Sequence, residues 1–241
     1  MKTSNTLFVA AVALVLGSLA TYDAALRAEY LTGHYKDPLR NYQVLGLRDF
    51  DAVTVPSASG LRVKIEAGPF AVRVSKDAAN YVRVTQRGQE LRVTVAYPEK
   101  PESLGGREAV VITCPRLAAL TTEGTYTVAG KVQHDRVEGG GEIEVHGFRQ
   151  DSLTLRQNQS NKIKLAGNTL GWLHASSGPR AATEPTLEIW GDNHIQAADL
   201  SIGRRGHLDL AVVIPRLRHQ FSDSATVALT GAAARSLSAP R

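Results

Sequence analysis

The 241-residue chain predicts an all-β, solenoid-like domain that opens with an antiparallel meander and follows an N-terminal hydrophobic helix. Three observations predict it. Four runs between Leu61 and Tyr97 alternate strictly between apolar and polar residues. From Ala109 onward, very short β-type runs recur at a regular pitch. The N-terminal segment holds a nearly unbroken apolar stretch.

The apolar stretch comes first in the chain. Lys2 is followed by Leu7 to Ala20 (LFVAAVALVLGSLA), which fits a secretory signal, and Ser18 and Ala20 supply the small residues that a signal peptidase reads. The apolar character also continues through Tyr22, Ala24, Ala25 and Leu26, broken by Asp23, and so reaches the ~20 residues that a bilayer-spanning helix needs. Residues 1–30 are therefore expected to be a signal anchor or a signal peptide. In either case the bulk of the chain lies outside the cytoplasm, in the periplasm or cell envelope, either held at the cytoplasmic membrane or secreted after cleavage. Positive charge at Lys2 keeps the N-terminus cytoplasmic if the segment spans.

Residues 31–48 read as a linker, because Thr32-Gly33, Lys36-Asp37-Pro38 and Asn41 break a helix. The β domain is expected over residues 49–235. FDAVTV (50–55) begins it and PSASG (56–60) is a turn. In the meander, Leu61, Val63 and Ile65 oppose Arg62 and Lys64. Phe70, Val72 and Val74 oppose Arg73, Val82 and Val84 oppose Arg83, and Leu91, Val93 and Val95 oppose Arg92. Side chains alternate faces along a strand, so each run has one apolar and one polar face. Arg62, Lys64, Arg73, Arg83 and Arg92 then make a candidate basic face for an anionic envelope polysaccharide or lipid head groups. The same pattern also describes a solvated face whose charges deter edge-to-edge association.

In the second half the strands shorten to triplets such as Leu153 to Leu155, Ile163 to Leu165, Leu187 to Ile189 and Leu208 to Leu210, joined by links such as Gly139 to Gly141. Leu153, Leu170, Leu187 and Leu208 follow one another at a nearly regular interval. Units of this size whose strands cannot bury their inward residues alone are the mark of a β-solenoid or β-helix. VITCPRL (111–117) and VVIPRL (212–217) suggest a longer internal repeat. Residues 236–241 read as a disordered tail.

The start MKTSNTLFVAAVALVL with ALRAEYLTGHYKDP, the run from FDAVTV through LRVKIEAGPFAVRVSKDAANYVRVTQRGQELRVTV, and the string of short strands together resemble a known family. It is the head-GIN domain family of exported bacterial auto-transporter adhesins, and the likeness covers roughly residues 45–231. The resemblance implies a right-handed β-helix-like domain outside the cytoplasmic membrane and brings no established activity, since "adhesin" there is a name. The Ser-Gly-Ser-Gly turns favoured in that family are represented here only by Glu138 to Gly141, Ser176 to Gly178 and Ser222 to Ser224.

Motifs for catalysis are sparse. G-x-S-x-G, the P-loop and dinucleotide fingerprints and H-E-x-x-H do not occur. Cys114 is the only cysteine, so a Cys-based zinc site and an intrachain disulfide are excluded. The net charge of +5 is mild, and no basic motif for nucleic acid is present. His174 and His194 stand about one such unit apart and, with Asp192, outline a metal site on paper, although His in turns is ordinary. Trp172 and Trp190, at a similar spacing, are candidates for a two-rung aromatic strip that binds sugar, beside Asn168 and Asn193; covering the flank of a core is the plainer role. Asn158, Asn161, Asn168 and Asn193 are expected in turns, where Asn tolerates left-handed backbone angles. The expected function is a non-enzymatic envelope scaffold or adhesin-like domain without catalytic, cofactor or metal residues, with self-association through unpaired end coils as a further expectation. The alternative is a carbohydrate-active enzyme on a β-helix, either a lyase or a hydrolase. That alternative requires Asp192, Asp199 and Asp209 to converge within ~5–10 Å.

Overall fold

A computed structural model of the chain describes residues 2–33, 37–102, 104, 107–134, 141–159, 161–178 and 184–238. His34, Glu138, Gly139, Gly140 and the end of the expected tail (239–241) lie outside them. The chain divides into two units, residues 1–42 and 43–241.

The first unit is the helix α1 (Lys2–Thr32). Its stretch Thr6–Thr32 is long and apolar enough to cross a membrane, and Leu7, Phe8, Leu14, Leu16 and Leu31 along it are exposed.

The second unit is mostly β. Its strands are β1 (Tyr42–Leu45), β2 (Ala52–Val55), β3 (Arg62–Ala67), β4 (Ala71–Ser75), β5 (Val82–Arg87), β6 (Glu90–Tyr97), β7 (Val110–Cys114), β8 (Ala119–Thr122), β9 (Thr125–Val128) and β10 (Lys131–His134). There follow β11 (Glu142–His146), β12 (Arg149–Gln157), β13 (Lys162–Ala166), β14 (Thr169–Ser177), β15 (Thr186–Ile189), β16 (His194–Ile202), β17 (His207–Leu210), β18 (Arg216–Phe221) and β19 (Thr226–Leu229), then the helix α2 (Gly231–Ser238). The strands form two large sheets. Sheet A runs β1-β4-β7-β3-β11-β13-β15-β17-β19. Sheet B runs β10-β9-β6-β2-β8-β12-β14-β16-β18, with β5 paired to β6.

From β11 onward, successive strands join the two sheets alternately, and every pairing among them is parallel. In-register pairing stacks like on like. Val63, Ile143, Ile163, Leu187, Leu208 and Val227 form one inward row of sheet A, and Ile65, Val145, Leu165, Ile189, Leu210 and Leu229 form the next. A one-residue slip would turn these apolar rows outward, so the core fixes the register. Except at the edge strand β19, where Val227 is exposed and Leu229 only partly buried, these inward residues belong to one buried cluster.

This topology corrects several expectations. The alternation within Leu61–Tyr97 places its side chains correctly, since Val63, Ile65, Val72, Val74, Val82, Leu91, Val93 and Val95 are all buried. The antiparallel meander, however, is absent. β3 and β4 are separated by β7, which pairs with β3 in parallel and with β4 antiparallel. β5 and β6 lie in the other sheet, and they alone among the four form an antiparallel hairpin. Of the expected leucine intervals, only that from Leu187 to Leu208 is a true step between stacked strands. Ile143 pairs with Ile163, Ile163 with Leu187, and Leu187 with Leu208, each step being at least as long as the interval from Leu153 to Leu173. Leu153 and Leu170 belong to sheet B, whereas Leu187 belongs to sheet A. The intervals from Leu153 to Leu170 and from Leu170 to Leu187 therefore join unlike positions. The VITCPRL and VVIPRL segments are not equivalent either: the first is mostly strand β7, and most of the second is the connection from β17 to β18. β1 falls within the stretch expected to be linker, and α2 follows the last strand.

The asparagines have a different role from the one expected. Asn168 and Asn193 are fully buried, and neither has a positive φ; the left-handed residue at that turn is Gly167 (φ 62°). Asn168 accepts from the Phe148 N–H (3.0 Å) and donates to the Val145 carbonyl (2.9 Å). Asn193 accepts from both the backbone and the side chain of Asn168 and donates to the Leu165 carbonyl (2.7 Å). A polar ladder thus runs up this corner between the sheets and bonds backbone groups at the strand ends and in the turns. A second buried network joins Gln157, Asn161, Thr122 and Ser177.

Candidate functional site

Both sheets turn their apolar faces to the shared core, so their outward faces look in opposite directions, and the predicted basic residues divide between them. Arg62, Lys64 and Arg73 are on sheet A; Arg83 and Arg92 are on sheet B. They do not form one basic face. On sheet A, moreover, parallel stacking sets acids beside bases. Arg62 pairs with Glu142 and Glu142 with Lys162 in one row; Lys64, Glu144, Lys164 and Glu188 follow each other in the next. Ion pairs link Lys64 to Glu66 (3.0 Å), Lys164 to Glu142 (2.7 Å) and Lys162 to Glu188 (2.7 Å). The hydrogen bond to Glu66, with further acids nearby, raises the Lys64 pKa above its ordinary value against the opposing effect of burial. On sheet B, Arg83 donates to the carbonyls of Ala79 (3.0 Å) and Val82 (3.2 Å). Arg92 lines a cavity of about 260 Å³ with Thr94, Tyr126 and Val132.

Trp172 and Trp190 are also on opposite sheets, so they form no two-rung strip. Trp190 follows β15, donates to Glu188 (3.2 Å) and has Lys164 5.6 Å from its ring. Trp172 is in β14 of sheet B and belongs to a cluster that the sequence did not disclose. In the outward rows there, His174 pairs with Asp199 and Asp199 with Arg218, while Trp172 pairs with Ala197 and Ala197 with Arg216. Ala197 is small and buried, which leaves the Trp172 indole room to lie toward β18.

Asp199 is the hub of this cluster. Its Oδ2 accepts from Trp172 Nε1 (3.1 Å) and lies 3.2 Å from His174 Nδ1. The His174 ring stacks beside Trp172 with centroids 5.6 Å apart. The guanidiniums of Arg216 and Arg218 stand 5.7 and 5.8 Å from the Trp172 ring, within cation–π range. The buried Oδ1 of Asp199 has no hydrogen-bond partner among the described residues; Arg218 Nε, 3.9 Å away, is too far to donate. A cavity of about 300 Å³ adjoins the cluster, lined by Asp199, Leu200, Ser201, Arg218, His219 and Gln220. One signal in the sequence could have found the site: Arg216, Arg218 and Gln220 alternate with Leu217 and Phe221, although the segment reads as part of an internal repeat.

The remaining candidates do not assemble. His194 pairs with Thr169, so it does not stack on His174, and among the described residues no three His, Cys, Asp or Glu side chains are grouped as a metal site. Asp199 and Asp209 project from opposite sheets and Asp192 sits in the turn between β15 and β16, so the three carboxylates do not converge. Burial pushes the Cys114 thiol up to about 12, which keeps it protonated and unreactive.

No family model and no curated protein matches the chain. Among solved structures it is similar to a "putative adhesin" from Bacteroides fragilis, at 9% identity and a TM-score of 0.48, covering 78% of this chain and 95% of that one. A "putative adhesin" from Parabacteroides distasonis matches at 10% identity and a TM-score of 0.38, covering 79% and 94%. A "putative lipid binding protein" from the same species matches at 14% identity and a TM-score of 0.29, also covering 79% and 94%.

Proposed function

We propose that this chain is a non-enzymatic interaction module of the cell envelope, a β-solenoid of the head-GIN type held at the cytoplasmic membrane by its N-terminal helix. The solenoid reading is supported by the alternation of strands between two sheets from β11 onward, each strand pairing in parallel with the next but one in the chain. The tether is supported by Thr6–Thr32, whose 27 residues extend ~40 Å as a helix, more than the ~30 Å of a hydrocarbon core.

One observation carries the binding role. In the cluster around Asp199 a hydrogen bond fixes the Trp172 indole, which holds two guanidiniums at the surface by cation–π contact. Such an arrangement suits recognition, because groups held in place lose little freedom on binding. Proton transfer needs an acid or base poised near a reacting atom, and Asp192, Asp199 and Asp209 lie apart.

Fractionation of cells that make the full chain tests the reading. The protein is expected in the membrane fraction after high-salt washing, with its N-terminus intact on sequencing and its β unit cut by protease added outside the cytoplasmic membrane. A mature chain that begins at Thr21 overturns the tether, and a β unit protected inside the cytoplasm overturns the envelope location.

A further inference from the structure

We propose that Arg216 and Arg218, held by Trp172 and Asp199 on the outward face of sheet B, bind the carboxylate of an acidic saccharide, such as a uronic acid unit of an envelope polysaccharide. The inference rests on the envelope reading above and gives that module its ligand class.

The two arginines are exposed, two positions apart on one face of β18, and therefore about 7 Å apart at their Cα atoms. That spacing lets both guanidiniums approach one sugar. β18 is the last strand of sheet B, and no further described strand pairs with it beyond β16. The arginines are also held in place. Trp172 draws both by cation–π attraction, and the Trp172 indole is itself fixed by its hydrogen bond to Asp199.

The charge balance differs from that of sheet A, where Lys64, Lys162 and Lys164 each meet a carboxylate within 3.0 Å. Here two guanidiniums face one carboxylate. That carboxylate already serves Trp172 and His174 through one oxygen, and it stands 3.9 Å from Arg218. Guanidinium forks match carboxylates bidentately, so the unspent donors point to a planar anion.

Two further features choose a carboxylated sugar over a phosphate monoester. Asp199 puts a fixed negative charge beside the site, and its repulsion weighs twice as heavily on a monoester dianion as on a monoanion. Ser201 and Gln220 line the adjoining cavity with Arg218 and offer neutral donors and acceptors to hydroxyl groups. A monoanion that carries several hydroxyls matches both features.

Titration calorimetry on the full chain in a neutral detergent tests this, with trigalacturonate as probe, maltotriose as its uncharged counterpart and glycerol 3-phosphate as competitor. Trigalacturonate is expected to bind and maltotriose to fail. The variant Arg216→Ala with Arg218→Ala should weaken binding by at least about tenfold, while Arg216→Lys with Arg218→Lys, lacking the fork, restores only part. Arg62→Ala with Arg73→Ala, on sheet A, should leave affinity unchanged. Circular dichroism melting confirms that each variant is folded. Failure of the wild-type chain to bind trigalacturonate overturns the site, as does equal binding by the alanine pair. Displacement by glycerol 3-phosphate at lower concentration than by galacturonate overturns the ligand class in favour of a phosphate monoester. Membrane attachment is measured separately. A tethered chain that ignores uronate loses only this site, and a soluble chain that binds it loses only the tether.

Discussion

The outward faces of the two sheets obey the same stacking rule and use it oppositely. On sheet A, parallel register brings Glu142 between Arg62 and Lys162, and Glu144 between Lys64 and Lys164, so the face neutralises itself row by row. On sheet B, the comparable row reads Thr154, His174, Asp199, Arg218, and the cations gather at its end around one tryptophan. In a parallel stack each residue lies beside its counterpart one repeat away. Alternating sign between stacked strands closes the face of sheet A, whereas on sheet B Arg216 and Arg218 stand together on the last strand and meet the single carboxylate of Asp199.

The largest expected effect comes from removing what both faces depend on. Asn168→Ala deletes the corner ladder, leaving the Phe148 N–H and the Val145 carbonyl buried without their partner. Each such group costs about 1–3 kcal/mol, so denaturant unfolding should show a loss of about 3 kcal/mol. A loss under about 1 kcal/mol would mean that the corner closes without its asparagine and that the apolar rows alone hold the two faces in register.

A charge reversal separates the faces next. Glu144→Lys makes Lys64, residue 144 and Lys164 three neighbours of one sign, and should cost about 1–2 kcal/mol at low salt, less at high salt. Thr154→Lys on sheet B sets a lysine beside Ala119 and His174 and should change stability by no more than about 0.5 kcal/mol. Equal effects would erase the distinction between a closed and an open face.

These features differ in how far the sequence could reveal them. Strand identity and facing were legible in Leu61 to Tyr97 because alternation is local: Arg62 betrays its orientation through Leu61 and Val63. Pairing was not, because a parallel neighbour lies at least two strands away in the chain and no turn announces it. β3 and β4 are joined by the short link Gly68 to Phe70, which looks like a hairpin, yet β7 comes between them. The ion pairs of sheet A and the cluster of sheet B both depend on that distant register. Arg62, Lys64, Arg73, Arg83 and Arg92 therefore looked like one surface although they belong to two, and Trp172 was found without the arginines that give it a role. Asn168 was visible as a turn residue, but its hydrogen bonds up the corner require knowledge of which turn stacks on which.

The smallest effect is the pH response of sheet A. Burial alone would raise the Glu188 carboxyl pKa, but hydrogen bonds from Lys162 and Trp190 outweigh it and hold the value below the ordinary 4.5. The stability this gives is present above the unfolded value and is lost as pH falls below 4.5 and through the depressed one. Lys162 moves the other way, raised above 10.5 by its hydrogen bond to Glu188, so its share is complete below 10.5 and is lost only as pH rises past the raised value. Between these limits the pair contributes a constant amount, screened by solvent to at most about 1 kcal/mol. Unfolding midpoints taken from pH 7 to pH 3 should therefore fall more for the wild-type chain than for a Lys162→Met, Glu188→Gln variant, with the difference confined to the acid end. Parallel curves would show that this pair is ornamental and that the self-neutralising face owes its register to the apolar rows beneath it alone.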